Sequence, residues 1–307
     1  MTKKLYIVGH PVSHSKSPEM YNAVYGAMGL DWDYGRMDLA SEAEAMRFLK
    51  ERDFLSINVT TPWKPLAYRT ADIRAASAML ADGANVLVHA ADQLLAYNVD
   101  GQGCVSYLEQ VGMSFAGASV AICGTGPTAV SIMNECVQAG CASVLMLGRD
   151  RERAQATVDR YLDAYRELLS TAVMLPGAPE GRLGFDEAYE RANLMFGTYD
   201  TSKQAITAAD CIIDATPLGM QEDDPAPFDT ALISASQLVF DTVYGHGESA
   251  LLRAARAAGA RAFDGRGMLV AQAVATVGIV CDVCQVEMPF SAGGLFDMMA
   301  EAAGFDL

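Results

Sequence analysis

Residues 118–150 read ASVAICGTGPTAVSIMNECVQAGCASVLMLGRD: an apolar run, a glycine turn, a helix-like stretch and a second apolar run. Strand, turn, helix and strand in that order make one βαβ unit. Gly124, Gly126 and Ala129 fall on the spacing GxGxxA between the first strand and the helix. The first glycine permits a tight turn, the second lets backbone approach a pyrophosphate, and the small third residue lets helix and strand pack closely. Pro127 suits the first helical turn, where its missing N–H costs nothing, and the helix N-terminus is a place for phosphate. A plain tight turn is the alternative, but the βαβ context favours a nucleotide.

Outward from this unit, ADCIIDATP (209–217), QLVFDTVYG (237–245) and ARAFDG (260–265) look like further strands of the same sheet, with the Ala-rich helical stretch ESALLRAARAAGA before the last. Upstream, KLYIVG and FLSINVT are short apolar runs ended by turn residues, each followed by a helix-like segment. This alternation predicts an α/β protein with largely parallel sheets. The length of 307 residues suggests two domains, at roughly 100 to 200 residues each. The pattern divides them into an N-terminal α/β domain of residues 1–104 plus 266–307 and a Rossmann-like dinucleotide-binding domain of residues 105–265. Between Arg151 and Ala209 the chain is long for a simple connection, with a charged helix (Arg151 to Leu169), a Pro/Gly loop LPGAPEGRLG and a polar segment ending TSKQAITAAD. Outer-face helices with one surface loop are the simpler expectation, a lid the other.

Lys and Arg number 22 against 38 Asp and Glu, a formal charge of −16, which disfavours nucleic acid and anionic membranes as partners. An anionic ligand must then be held by a few local cations. The opening MTKKLYIVG lacks the apolar core and cleavage site of a signal peptide. The longest uncharged stretch, Gln110 to Asn134, is broken by four glycines and Pro127, so a soluble protein is expected. Seven scattered cysteines fit reduced thiols in a cytoplasm. The one CxxC, Cys281 and Cys284, lies in an apolar pattern without a second Cys or His pair, which favours buried helix residues over a metal or redox site, and no metal is expected.

Three segments carry candidate chemistry. In LGRDRERA, Arg149 and Arg153 can hold a 2′-phosphate, while Asp150 can accept from a ribose 2′-OH and repel a phosphate. NADP is favoured, and NAD stays possible. In INVTTPWKPLAY a strand ends near Asn58, Thr61 and Pro62 look like N-cap and first helical residue, and Lys64 falls in the first turn. The helix dipole disfavours a cation there, which suits either a solvated lysine or one that exchanges protons. LLAYNVDGQG has the same form, and Asp100 is by itself most simply an N-cap. An ammonium and a carboxylate at the ends of neighbouring strands face one crevice, where open α/β sheets bind ligands. Beside a nicotinamide, the pair suits proton transfer to or from an alcohol oxygen.

Taken together, HSKSP (14–18), NVTTPWK (58–64), NVDGQG (98–103), GTGPTA (124–129), DATPLGM (214–220), FDTVYG (240–245) and GRGMLVAQA (265–273) resemble, in order and over nearly the whole chain, the shikimate dehydrogenase family. The resemblance implies reversible NADPH-dependent reduction of 3-dehydroshikimate to shikimate, with the N-terminal domain binding substrate. Lys64 and Asp100 are then the catalytic pair. Ser15 and Ser17 bind the substrate carboxylate, and Thr60, Asn85, Asn98, Tyr244 and Gln272 contact the ring hydroxyls. Cofactor contacts come from the glycine turn, Arg149, Asp150, Arg153 and the neighbourhood of Thr216 and Gly265. Departures from the family pattern are GANVLV for GAVNT, which assigns Asn85 only with a one-residue deletion, NVDG for NTDG, GRD for NRT, and Tyr244 followed by GHG rather than x-P.

Two alternatives stand beside this expectation: an NAD-linked quinate/shikimate dehydrogenase, to which Asp150 lends weight, and a non-catalytic shikimate-sensing protein on the same fold. The partners expected are small molecules, for a cytoplasmic monomer or homodimer. Ser17 before Pro18 also has an N-cap reading that needs no ligand.

Overall fold

The structure is a computed structural model and describes residues 2–173 and 193–307. The expected Pro/Gly loop lies outside the described residues. Along the chain run β1 (Lys3–Gly9), α1 (Ser17–Ala27), β2 (Trp32–Asp38), α2 (Glu42–Glu51), β3 (Ser56–Val59), α3 (Lys64–Thr70), β4 (Ile73–Arg74), α4 (Ala76–Ala81), β5 (Val86–Ala90), β6 (Gln93–Tyr97) and α5 (Asp100–Gln110). Then follow β7 (Ser119–Cys123), α6 (Pro127–Gln138), β8 (Ser143–Gly148), α7 (Arg151–Val173), β9 (Asn193–Thr198), α8 (Lys203–Ala208), β10 (Cys211–Asp214), β11 (Leu238–Asp241), α9 (Ala250–Ala257), β12 (Arg261–Phe263), α10 (Arg266–Cys284) and α11 (Ala292–Ala303). Two compact units divide them, Met1–Gly103 with Leu269–Leu307, and Cys104–Met268.

In the first unit the sheet order is β2-β1-β3-β5-β6-β4. β1 lies parallel to β2 and β3, but β5 is antiparallel to both β3 and β6. Three of the five neighbouring pairs in this sheet are parallel, and the two antiparallel ones have a local cause. Ala91 and Asp92, which join β5 to β6, have φ of 48 and 63°, the left-handed pair that a two-residue hairpin turn requires. Neither residue is glycine, so no Gly-containing turn pair marks the hairpin in the sequence. Side chains alternate across the strands: Leu5 and Ile7 of β1 pack with Tyr21 and Val24 of α1, Val270 and Val277 of α10 and Leu295 of α11. Val8 faces the other way, towards Leu49 of α2 and Leu66 of α3. Helix α10 is long and apolar enough to cross a membrane, yet Val270, Ala273, Val277 and Cys281 are core residues of this unit.

The second unit has the order β12-β11-β10-β7-β8-β9, every neighbouring pair parallel. Counted from β7, that is the doubly wound order 3-2-1-4-5-6, whose direction of winding reverses between β7 and β10. The glycine turn sits at this point. Gly124 has φ 116°, and a Cβ on it would lie 3.0 Å from the Ala215 carbonyl oxygen at the end of β10, so both the turn and the close approach need glycine.

Candidate active site

Asp100 begins α5 and is 5% exposed. Lys64 Nζ donates to its Oδ2 at 2.5 Å, and Asn85 Nδ2 donates to its Oδ1 at 2.8 Å. The same Asn85 amide reaches Gln272 Oε1 at 3.2 Å, while Asn85 Oδ1 accepts from Val99 N at 2.9 Å. Lys64, Asn85, Asp100 and Gln272 are therefore brought together from four separate segments. Asn98 serves them from behind: its Oδ1 accepts from Asp100 N at 3.1 Å and its Nδ2 donates to Gly83 O at 2.9 Å. Gly103 makes the assembly possible, because a Cβ there would lie 2.6 Å from Gln272 Cβ and 2.8 Å from Gln272 N. Any side chain would push α10 off α5.

The local route to Lys64 differs from the expected one. Thr61–Pro62 is a cis peptide, Trp63 is the cap residue, and α3 starts at Lys64 itself. Pro65, not Pro62, occupies the first turn, where its missing N–H is harmless. Lys64 thus stands at a helix N-terminus that disfavours a cation, and the carboxylate opposite supplies the compensating charge. Asp100 likewise is a helical residue whose oxygens are engaged by side chains. With 14% and 7% of their side chains exposed, the two ions are largely withdrawn from water, so removing either leaves the other poorly solvated.

Ser15 and Ser17 are 5% and 2% exposed, and Ser15 Oγ both donates to Ser17 Oγ at 3.2 Å and accepts from Ser17 N at 3.3 Å. Helix α1 starts at Ser17, with Lys16 in the cap position, so Ser17 is not the cap. Sequence reasoning missed Arg36. From β2 its Nε and Nη2 donate to the Ser15 carbonyl at 3.1 and 2.6 Å, and Nη2 pairs with Glu19 at 2.8 Å. A cation therefore anchors the backbone of the serine pair. Missed as well was a buried chain in which Tyr34 donates to Asn58 Oδ1 at 2.8 Å, Asn58 to Thr276 Oγ1 at 3.3 Å, and Thr276 to the Gln272 carbonyl at 2.9 Å. Thr60 is half-buried and hydrogen-bonds through its N–H to Val8 O.

In the second unit, the residues present fit a dinucleotide's phosphates. Gly126 is extended, a Cβ on it would meet nothing within 4 Å, and α6 begins at Pro127 without a side-chain cap. Ala129 is fully buried against the strand. Arg149, Asp150 and Arg153 are all exposed, and Asp150 Oδ1 accepts from Glu152 N at 2.9 Å and Arg153 N at 3.4 Å. Its carboxylate thus caps α7. Thr216 follows β10 and Tyr244 follows β11, both half-buried, while buried Gly265 lies against the Thr242 backbone. Thr216 N donates to Asp214 Oδ1 at 2.9 Å. Burial, then the neighbouring Asp241 carboxylate, pushes Asp214 up to about 7. Neither aspartate was read from the sequence, although both DATP and FDTV end an apolar run in Asp.

Cys281 is 1% exposed and Cys284 half-buried, both as free thiols, and burial pushes Cys281 up to about 11. Among the described residues no group of three or more His, Cys, Asp or Glu side chains could hold a metal ion.

Comparison with known proteins points one way. The family described as the shikimate dehydrogenase substrate binding domain matches residues 7–87. "Shikimate dehydrogenase (NADP(+))" of Symbiobacterium thermophilum is 32% identical, over 97% of this chain and 92% of the relative. Among solved structures, shikimate dehydrogenase from Aquifex aeolicus superposes with a TM-score of 0.77 at 22% identity, over 98% of this chain and 97% of that one. Quinate dehydrogenase from Corynebacterium glutamicum in complex with NAD superposes with a TM-score of 0.75 at 24% identity, over 98% and 99% of the two chains. The two structural likenesses speak for the fold alone.

Proposed function

The chain belongs to the shikimate dehydrogenase family, and we propose that it catalyses that family's reaction, reversible NADPH-dependent reduction of 3-dehydroshikimate to shikimate, with Lys64 and Asp100 as its catalytic pair. The observation that carries the proposal is the buried Lys64–Asp100 contact at 2.5 Å, braced by Asn85 and Gln272. A regulatory protein that only senses its ligand has no need of such a pair.

When bound, NADPH supplies the hydride that reduces the ring ketone. The protein's part is to place a proton where the oxygen becomes an alkoxide. Lys64 holds that proton on Nζ and gives it, or a strong hydrogen bond, to the oxygen. Asp100 aims the ammonium and shares the proton transfer, while Asn85 holds its carboxylate and Asn98 holds its backbone N–H. Ser15 and Ser17 take the substrate carboxylate, and Thr60, Asn85, Asn98, Tyr244 and Gln272 take ring hydroxyls. Gly124, Gly126, Pro127 and Ala129 form the pyrophosphate turn. Thr216 and Gly265 lie on the loops expected to meet the rest of the cofactor, and Arg149 and Arg153 are the cations for a 2′-phosphate.

Asp150 favours a second possibility, NAD-linked oxidation of quinate as well as shikimate. Initial rates with NADP+ and NAD+, each on shikimate and on quinate, test both. The expected result is the highest kcat/KM for NADP+ with shikimate. Higher kcat/KM for NAD+ with quinate transfers the assignment, and tight shikimate binding without reduction of either dinucleotide rejects an enzyme altogether.

A further inference from the structure

The last residues of β10 and β11 are both aspartates, and parallel register sets Asp214 beside Asp241. They are 1% and 0% exposed. Each spends Oδ1 on the backbone two residues ahead, Asp214 on Thr216 N and Asp241 on Val243 N, both at 2.9 Å. These are Asx turns, and they set the direction in which each strand enters its loop. One loop carries Thr216 and the other Tyr244.

The remaining Asp241 oxygen, Oδ2, is buried with no group in hydrogen-bonding geometry. The groups facing the pair are the Thr216 hydroxyl on Asp214, the Cys123 thiol of β7, Tyr199 after β9, the Ser249 hydroxyl ahead of α9 and Asp264 after β12. None is a cation. The Ser249 hydroxyl favours the charged form of Asp241, but burial outweighs it and Asp241 is raised, as Asp214 is. Two carboxylates side by side and out of water do not both keep a charge. An orphan acceptor beside a carboxyl that binds protons readily is the arrangement that one shared proton satisfies.

We propose that Asp214 and Asp241 hold one proton between them, and that this proton fixes the Thr216 and Tyr244 loops in the form that takes the dinucleotide, so that affinity for the dinucleotide falls as the proton leaves. The pair are positioning residues, acting through the loops they turn. Loss of the proton adds a buried negative charge at the carboxyl edge of the sheet, the edge that receives an anionic ligand. This inference rests on the dinucleotide-binding function proposed above.

The test measures dissociation constants of the full-length protein for NADP+ and NAD+ by calorimetry from about pH 7 to 9, where a phosphate monoester is already doubly ionised. Affinity of the unaltered protein is expected to fall several-fold across the range, with a limit of about tenfold per pH unit for one proton. Asp214→Asn carries a permanent N–H in place of the proton, so its affinity should stay level. A level response in the unaltered protein, or an equal slope in the variant, overturns the proposal.

Thermal melts supply an arm independent of binding. A carboxyl raised in the folded state binds protons that the unfolded chain releases, so the fold loses stability as pH rises from about 4 towards the folded value near 7. Asp214→Asn escapes that loss, and its gain in Tm should be larger at about pH 8 than at about pH 5. Equal gains, or none, overturn the shared proton. If Asp214→Asn does not fold, Asp241→Asn carries the same comparison from the other side. If neither dinucleotide binds at any pH, the functional proposal fails, and the melts still decide whether the proton is shared.

Discussion

Asp100 and Asp214 are both buried carboxylates at the carboxyl edge of a sheet, 5% and 1% exposed, and they are neutralised in opposite ways. Asp100 meets the Lys64 ammonium at 2.5 Å and an amide at 2.8 Å. Asp214 has the N–H and hydroxyl of Thr216, and its charged neighbour is another carboxylate. One aspartate thus faces a cation, and the other shares a proton with a second carboxylate. Residue type and burial are nearly the same; the partner decides. A carboxylate paired with a lysine can aim that lysine in bond-making chemistry, whereas one that shares a proton with another carboxylate answers to pH.

The hardest test of this contrast is to make Asp100 resemble Asp214. Lys64→Ala removes the proposed proton donor and leaves the Asn85 amide on Asp100, and kcat is expected to fall by about 10²- to 10⁴-fold. Steady-state kinetics, with circular dichroism to check the fold, measure the loss. A kcat within a few-fold of the unaltered protein rules Lys64 out as the proton donor.

How much of this was legible beforehand follows from the range of the interactions involved. The first βαβ unit of the doubly wound sheet was readable because GxGxxA, its two strands and its helix lie within 33 residues of one another; β9 was not, since its segment was expected to hold outer-face helices and a loop. Lys64 and Asp100 were readable as a pair because each opens the helix that follows a strand, β3 or β6, although those strands are not neighbours as expected: β5 lies between them. The β5–β6 hairpin was legible only through the family resemblance, since Ala91 and Asp92 adopt left-handed backbone without a glycine to announce it. The start of α3 was not legible, because two prolines, Pro62 and Pro65, compete for one position and only the fold chooses. Arg36 and the Asp214–Asp241 pair were hidden for a further reason. Each acts on a neighbour fixed by strand register or by a backbone carbonyl, which side-chain patterns do not reveal.

Arg36 offers a middle case, a cation whose partner in the site is backbone. Arg36→Ala removes the bonds to the Ser15 carbonyl and frees the Ser15–Ser17 pair to move. Hydrogen bonds from a charged donor are worth about 1.5–3 kcal/mol, so KM for shikimate should rise by about tenfold. Turnover at saturating substrate should change little, since Lys64 and Asp100 keep their contacts. Arg36→Lys, which retains one donor and the charge, should recover part of the loss. A lower kcat with KM unchanged places Arg36 in the reaction step and not behind the serines.

The smallest effect belongs to a third kind of carboxylate, one that is exposed and held by a helix. Asp150 accepts from Glu152 N and Arg153 N, so its charge is stabilised by the N-terminus of α7. That engagement explains how an aspartate can stand between Arg149 and Arg153 without abolishing a 2′-phosphate site: its carboxylate is turned to its own helix. Asparagine is an equally good cap, so Asp150→Asn keeps the helix and deletes only the charge. Removing one exposed like charge is worth about 0.3–1 kcal/mol, which predicts a two- to five-fold tighter dissociation constant for NADP+ at low salt. The NAD+ constant should weaken or stay level, and Tm should hardly move. If NAD+ affinity instead falls as steeply as NADP+ affinity rises, Asp150 is holding a ribose hydroxyl, and helix capping is not its main role.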